Sequence, residues 1–186
     1  MVDFHKILKG GDMSLQRIAF VVAMTMNVSP SFAQNSLPHF EQFPIADSDQ
    51  FLGTPAPVDI FSYPGANKFR AQLEDGAAKG PNYAGHYTIV TLSCGTMCQD
   101  NWVIDAPTGK IVGEFKSKIY LRYQPDSTLL VVNPPDPDIK KGYDRDPQQP
   151  IWKTIETKYQ VFQNAKFEVV QKNKWVDLFD WMSGGN

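Results

Sequence analysis

The sequence predicts a mainly β (α+β) fold, in which a single antiparallel β-meander sheet or a small barrel carries one covering N-terminal helix. From Gly85 onward, runs of β-branched and aromatic residues have the spacing of strands. Short turn sequences rich in proline, glycine and asparagine join these runs, so successive strands are expected to pair antiparallel. One stretch with helical spacing precedes the first run.

The beginning of the chain has the features of a signal peptide. Arg17 forms a short basic region, and residues 18–28 are apolar but too few to span a bilayer. Residues 31–33 place small side chains at both positions that a signal peptidase recognises. We therefore predict that residues 1–33 are a leader, that translation begins at Met13, and that the mature protein is periplasmic or secreted.

The rest of the chain divides into an arm and one domain. Residues 34–66 contain scattered prolines and predict an irregular arm, and residues 67–186 predict a single β-rich domain. The formal net charge is −2 and no basic stripe is present, which argues against nucleic acid as a partner. No later stretch resembles a membrane span, so the expected partner is a protein or a small-molecule ligand.

The helix is predicted directly after the arm. Asn67 is a candidate N-cap, and Phe69, Leu73 and Ala77 recur at helical spacing on one face. Pro81 cannot continue a helix, so the helix is expected to end just before it.

The strands follow as one single run and three hairpins. They read HYTIVTLS, NWVIDAPTGKIVGEF, KIYLRYQPDSTLLVVN and TKYQVFQNAKFEVVQKNKW. Turns are expected at residues 106–109, 124–127 and 163–165, with Gly109 in the left-handed conformation. The tail VDLFDWM is expected to dock Leu178, Phe179 and Trp181. The expected β core, on which Phe69 and Leu73 pack, consists of Ile89, Val103, Ile104, Val112, Leu121, Leu130, Val132, Val161, Phe167 and Val169.

Residues 133–150 predict a solvated, proline-stiffened loop. Its acidic residues raise the possibility of a calcium site. An EF-hand loop needs an oxygen ligand at its fifth position and glycine at its sixth, where this chain has Lys140 and Lys141. We therefore predict no metal and no cofactor. The acidic residues concerned are Asp136, Asp138, Asp144 and Asp146.

The only two cysteines, Cys94 and Cys98, leave several kinds of site open. As an enzyme, the protein would use one of them as a nucleophile or redox centre, with His86 as the candidate base or His39 approaching from the arm. A zinc site with both histidines is a further alternative, although the spacing matches no common zinc module. We predict a disulfide, because export exposes the two thiols to oxidation and Gly95 gives the turn between them backbone freedom.

A group of polar residues near the first strand is a candidate binding surface. It combines two phenols, an imidazole and an amide beside a glycine, which could line a small pocket. The alternative is that these side chains only satisfy the backbone and cover the edge of the sheet. With the turn between the cysteines, the candidate surface consists of Asn82, Tyr83, His86, Tyr87, Gly95 and Thr96.

Residues 69–112 resemble a family of exported bacterial proteins with the pattern G-P-N-[FY]-A-G-H-Y, then C-G-x-x-C and a D-x-x-T-G-K turn. The matching positions are Gly80 to Tyr87, Cys94, Gly95, Cys98, Asp105 and Thr108 to Lys110. The resemblance implies export, and it carries over no activity and no catalytic residue. The sequence therefore predicts a secreted or periplasmic binding module. The alternatives are a thiol-dependent enzyme and an inhibitor of a cell-wall hydrolase.

Overall fold

Two antiparallel sheets dominate the computed structural model, which describes residues 36–143, 151–164 and 166–182. The first sheet has the order β1-β2-β3 and the second the order β4-β5-β6-β7. The mainly β prediction is confirmed. The predicted leader and Ala165 of the third hairpin lie outside the described residues. The strands are β1 (Tyr87–Gly95), β2 (Cys98–Asp105), β3 (Ile111–Ser117), β4 (Leu121–Tyr123), β5 (Leu129–Val132), β6 (Glu156–Gln163) and β7 (Lys166–Lys174).

The prediction of a single sheet or a small barrel is wrong in its detail, because the meander breaks between β3 and β4. After β3, the backbone amides of Lys118 and Ile119 donate to the side-chain oxygen of Asn133, at 2.7 and 3.2 Å. These amides therefore do not extend the ladder of the first sheet, and β4 pairs with β5 in the second. Each sheet keeps two edge strands, so neither closes on itself.

The helices are short. They are α1 (Arg70–Ala77), α2 (Pro137–Tyr143) and α3 (Trp175–Met182), with 3-10 turns at Phe40–Gln42, Asp47–Asp49, Ala66–Phe69 and Ile151–Thr154. Asn67 does not cap α1, because it lies inside the 3-10 turn Ala66–Phe69. Gly65, with a φ of 83°, is the N-cap of that turn, and Phe69 is the N-cap of α1. In α3, Leu178 and Phe179 are buried as predicted, and the side chain of Trp181 lies outside the described part.

Helix α2 lies in the segment that was predicted to be a loop. Asp136 precedes it, and one carboxylate oxygen accepts the backbone amides of Asp138 and Ile139 at 2.8 and 3.1 Å. These hydrogen bonds lower the pKa of Asp136 below its ordinary value. The carboxylate of Asp136 therefore caps and stabilises a short helix in a segment whose prolines and charges predict a loop. Asp144 and Asp146 lie outside the described residues.

The core occupies three layers. Ile89 and Val103 of the first sheet pack against Leu130, Val132 and Phe162 of the second. The outer face of the first sheet packs against α1 and the arm, and that of the second packs against arm residues 37–43. The predicted core is confirmed as buried or partly buried except at Val169, which is 44% exposed on edge strand β7 beside a register shift.

Tyr159 provides a test of the outer layer at alkaline pH. Burial raises its pKa to about 12, whereas an unfolded tyrosine titrates near 10. The folded state therefore keeps its proton where the unfolded state loses it, and stability should fall as pH rises from about 10 to about 12. We expect the substitution Tyr159→Phe to remove about 1 kcal/mol of this loss at pH 11, one pH unit above the pKa of an unfolded tyrosine. Urea unfolding at pH 9 and pH 11 measures it, and an equal loss in both proteins would contradict the assignment.

Candidate functional site

Two of the predicted surface residues instead hold the backbone in place. The side chain of Asn82 accepts the amide of Ile89 at 2.8 Å and donates to its carbonyl at 3.1 Å. These two hydrogen bonds replace those that a neighbouring strand would form with β1 at this residue. Tyr83 is fully buried, and its hydroxyl donates to the carbonyl of Thr128 at 2.6 Å. Burial raises the pKa of this phenol far above its ordinary value. Tyr83 therefore contributes to the core and not to a binding surface.

His86, which directly precedes β1, lines a shallow cleft of about 310 Å³. The Nδ1 atom of His86 is 3.2 Å from the carbonyl oxygen of Asp49, and its Nε2 atom is 3.7 Å from a carboxylate oxygen of Asp105. Its ring lies 4.0 Å from that of Tyr87, centroid to centroid. With the proton on Nδ1, the imidazole donates to the carbonyl of Asp49 and so links the arm to the first sheet.

The arm crosses two glycines of the motif at close range. Gly85 has a φ of 82°, and a Cβ atom there would lie 2.5 Å from the carbonyl oxygen of Asp49. Gly109 has a φ of 71°, as predicted, and a Cβ atom there would overlap the carbonyl of Pro57. Both positions need glycine for conformation and for space. The motif around residues 80–87 is therefore a junction between the arm and both sheets.

The two cysteines form a disulfide, as predicted, at the hairpin tip, which we define as residues 93–99. The Cα atoms of Cys94 and Cys98 are 5.0 Å apart, within the range that a disulfide requires. Gly95 closes the turn with a φ of 129°, and both it and Thr96 are exposed. In contrast, Met97 is partly buried and packs against a buried cluster around Trp175. The tip is therefore fixed at its base and exposed at its end.

The candidate catalytic residues do not assemble. Both sulfur atoms are in the disulfide, and the length of β1 separates His86 from Cys94 by about 26 Å. In the described part of the chain, one set of potential metal ligands comes together, the two cysteines with Asp100, and neither His39 nor His86 belongs to it. Cysteines bind metal as thiolates, so the disulfide form offers no such site.

A second cleft, the tip cleft, has a volume of about 250 Å³ and lies beside the disulfide. Behind it, fully buried Asn101 accepts from the hydroxyl of Thr91 at 2.8 Å and donates to that of Ser117 at 3.0 Å. The hydroxyl of Ser117 in turn donates to the side chain of Gln99 at 3.0 Å. The tip cleft is lined by Ser93, Gly95, Met97, Cys98, Gln99, Lys118, Ile119 and Ile139.

The predicted binding surface is thus divided between the two ends of β1. Residues 82–87 surround the arm junction, and Gly95 and Thr96 form the exposed end of the hairpin tip. Comparisons with protein-family models, curated proteins and solved structures found no match. Among the described residues, no helix is long and apolar enough to cross a membrane. The disulfide is compatible with an oxidising, extracellular environment.

The disulfide is expected to stabilise the fold only modestly. Replacing both Cys94 and Cys98 with serine should lower the free energy of unfolding by about 2 kcal/mol, because a bond that closes so small a loop removes little chain entropy. Urea unfolding followed by circular dichroism measures the change, and Ser93→Ala serves as a control at the same turn. A variant that no longer folds, or one that loses nothing, would contradict this expectation.

Proposed function

We propose that this chain is a small exported module that binds a protein or small-molecule partner through its hairpin tip. The observation that carries the proposal is the disulfide between Cys94 and Cys98 in a turn whose outer residues are exposed. Such a bond stabilises the whole fold by only about 2 kcal/mol, so its main effect is to fix the local shape. A fixed and exposed loop is a common place for a binding surface.

Export is supported by the signal-peptide features of residues 1–33 and by the resemblance to exported bacterial proteins. The disulfide is compatible with the same environment. Mass analysis of protein from the cell envelope should find an N-terminus within about two residues of Gln34, given the small residues of the predicted cleavage site. Envelope protein that retains residues 13–33 would contradict export by cleavage.

A thiol-dependent enzyme is less well supported. It would need a reduced cysteine with a base within hydrogen-bond reach, whereas Cys94 and Cys98 are bonded to each other and His86 lies at the opposite end of β1. Inhibition of a cell-wall hydrolase would be one form of the protein binding proposed above. The size of the chain allows it, and the hairpin tip would be the inhibitory surface.

Photo-crosslinking tests the proposed surface in living cells. A photoreactive phenylalanine analogue at Thr96 should give a discrete crosslinked product in the native host, whereas the same group at exposed Lys172 on β7 should not. The product should weaken when both cysteines are replaced with serine, because the tip then loses its fixed shape. Equal crosslinking at both positions, or none at Thr96, would contradict binding through the tip.

A further inference from the structure

The tip cleft is lined by side chains that donate hydrogen bonds, which we call its donor wall, and by apolar side chains, which we call its apolar wall. We propose that it binds a carboxylate group carrying a short aliphatic chain, which names a ligand class for the binding module proposed above and rests on that proposal. None of the described residues that line the cleft carries a carboxylate. The donors are the side chains of Ser93, Gln99 and Lys118, and the apolar residues are Met97, Ile119 and Ile139.

The donor wall is held in position by the buried network behind it. The side-chain oxygen of Gln99 accepts the hydroxyl of Ser117 at 3.0 Å, and its backbone carbonyl accepts the side-chain amide of buried Asn101 at 3.4 Å. The side-chain nitrogen of Gln99 has no partner among the described residues, which leaves its two N–H groups available to an acceptor. A carboxylate offers the matching acceptor oxygens.

Lys118 supplies the positive charge at this cleft. Its ammonium group forms no ion pair with any described residue, whereas the carboxylate of Asp100, which lies near the disulfide, is paired with Lys116. The backbone amide of Lys118 is fixed by Asn133 at 2.7 Å. A carboxylate between this ammonium and the amide of Gln99 would receive charge-assisted hydrogen bonds, which are stronger than neutral ones.

The apolar wall and the size of the cleft favour a short chain. Met97, Ile119 and Ile139 pack against the buried cluster that contains Trp175 and Leu178, so a rigid layer supports the wall. The volume of about 250 Å³ lies below the range of roughly 300–1,000 Å³ that is usual for drug-sized ligands. A free aliphatic acid and the C-terminal carboxylate of a peptide share the required chemistry.

The test is an NMR titration of the purified protein with hexanoate, with hexylamine as a ligand of equal chain length and opposite charge. Hexanoate should shift the amide signals of residues 93–99 and 118–119 saturably, and hexylamine should not. Lys118→Gln should weaken hexanoate binding at least about fivefold, because an ion pair with hydrogen bonds is lost. Lys118→Arg should retain most of the binding, and Lys172→Gln on β7 should leave it unchanged.

Two peptides that end in leucine, one with a free and one with an amidated C-terminus, identify the source of the carboxylate. Tighter binding of the free-acid peptide than of hexanoate would assign a peptide terminus, and binding of hexanoate alone would assign a free acid. Absence of saturable shifts, equal shifts with hexylamine, or an unchanged affinity in Lys118→Gln would overturn the proposal. Any of these results would leave the crosslinking result at Thr96 standing, so the two proposals fail separately.

Discussion

Replacing Gly109 with alanine is expected to lower the free energy of unfolding by about 3 kcal/mol. A left-handed alanine costs about 1 kcal/mol, and its Cβ atom would overlap the carbonyl of Pro57. The arm would have to move, breaking the hydrogen bonds from Asp59 to Gly109 and from Ala56 to Ala106, both 2.8 Å long. Each such bond contributes about 1 kcal/mol.

Gly65→Ala is the matched control for this substitution. Gly65 also has a positive φ, 83°, but a Cβ atom there would meet nothing within 4 Å, so its replacement should cost only about 1 kcal/mol. Gly85→Ala should behave like Gly109→Ala, because Asp49 approaches it closely. Urea unfolding of the three variants gives the comparison. If Gly109→Ala costs no more than Gly65→Ala, the arm is not held as the structure indicates.

The strands and turns could be predicted because each depends on residues close together in the sequence. The hairpin around residues 106–109 needs only two alternating runs and a turn with glycine at its end. The division into two sheets could not be predicted, because it depends on the side chain of Asn133 accepting hydrogen bonds from backbone amides about fifteen residues earlier in the chain. The prediction that Val169 is buried was wrong because the register shift beside it has no local sequence signal.

The candidate site was predictable to a similar extent. The pairing of Cys94 and Cys98 followed from export and from their being the only two cysteines. The sequence leaves two roles open for residues 80–87, because a glycine is equally suited to the close approach of an arm and to the lining of a pocket. The tip cleft was missed, since Ile119 and Ile139 reach it from distant segments and buried Asn101 resembles an ordinary exposed strand residue.

Replacing Asn133 with alanine is expected to lower the free energy of unfolding by about 4 kcal/mol. Its side chain accepts the amides of Lys118 and Ile119 and donates to the carbonyl of Glu156 at 3.2 Å, linking the end of the first sheet to the second. Asn133 is only 7% exposed, so the groups it leaves behind would lack partners away from water. Its φ of 53° adds the cost of a left-handed alanine.

Asn164→Ala separates the hydrogen bonds of Asn133 from its backbone conformation. Asn164 has nearly the same φ, 52°, in an exposed turn, so its replacement should cost about 1 kcal/mol or less. Asn133→Gly loses the same side-chain hydrogen bonds but avoids the cost of a left-handed alanine. If the hydrogen bonds dominate, its free energy of unfolding should still fall by about 3 kcal/mol.

Because Asn133 also fixes the backbone of Lys118 and Ile119, its loss should weaken hexanoate binding at the tip cleft. Equal stability losses at Asn133 and Asn164 would mean that the link between the sheets contributes little.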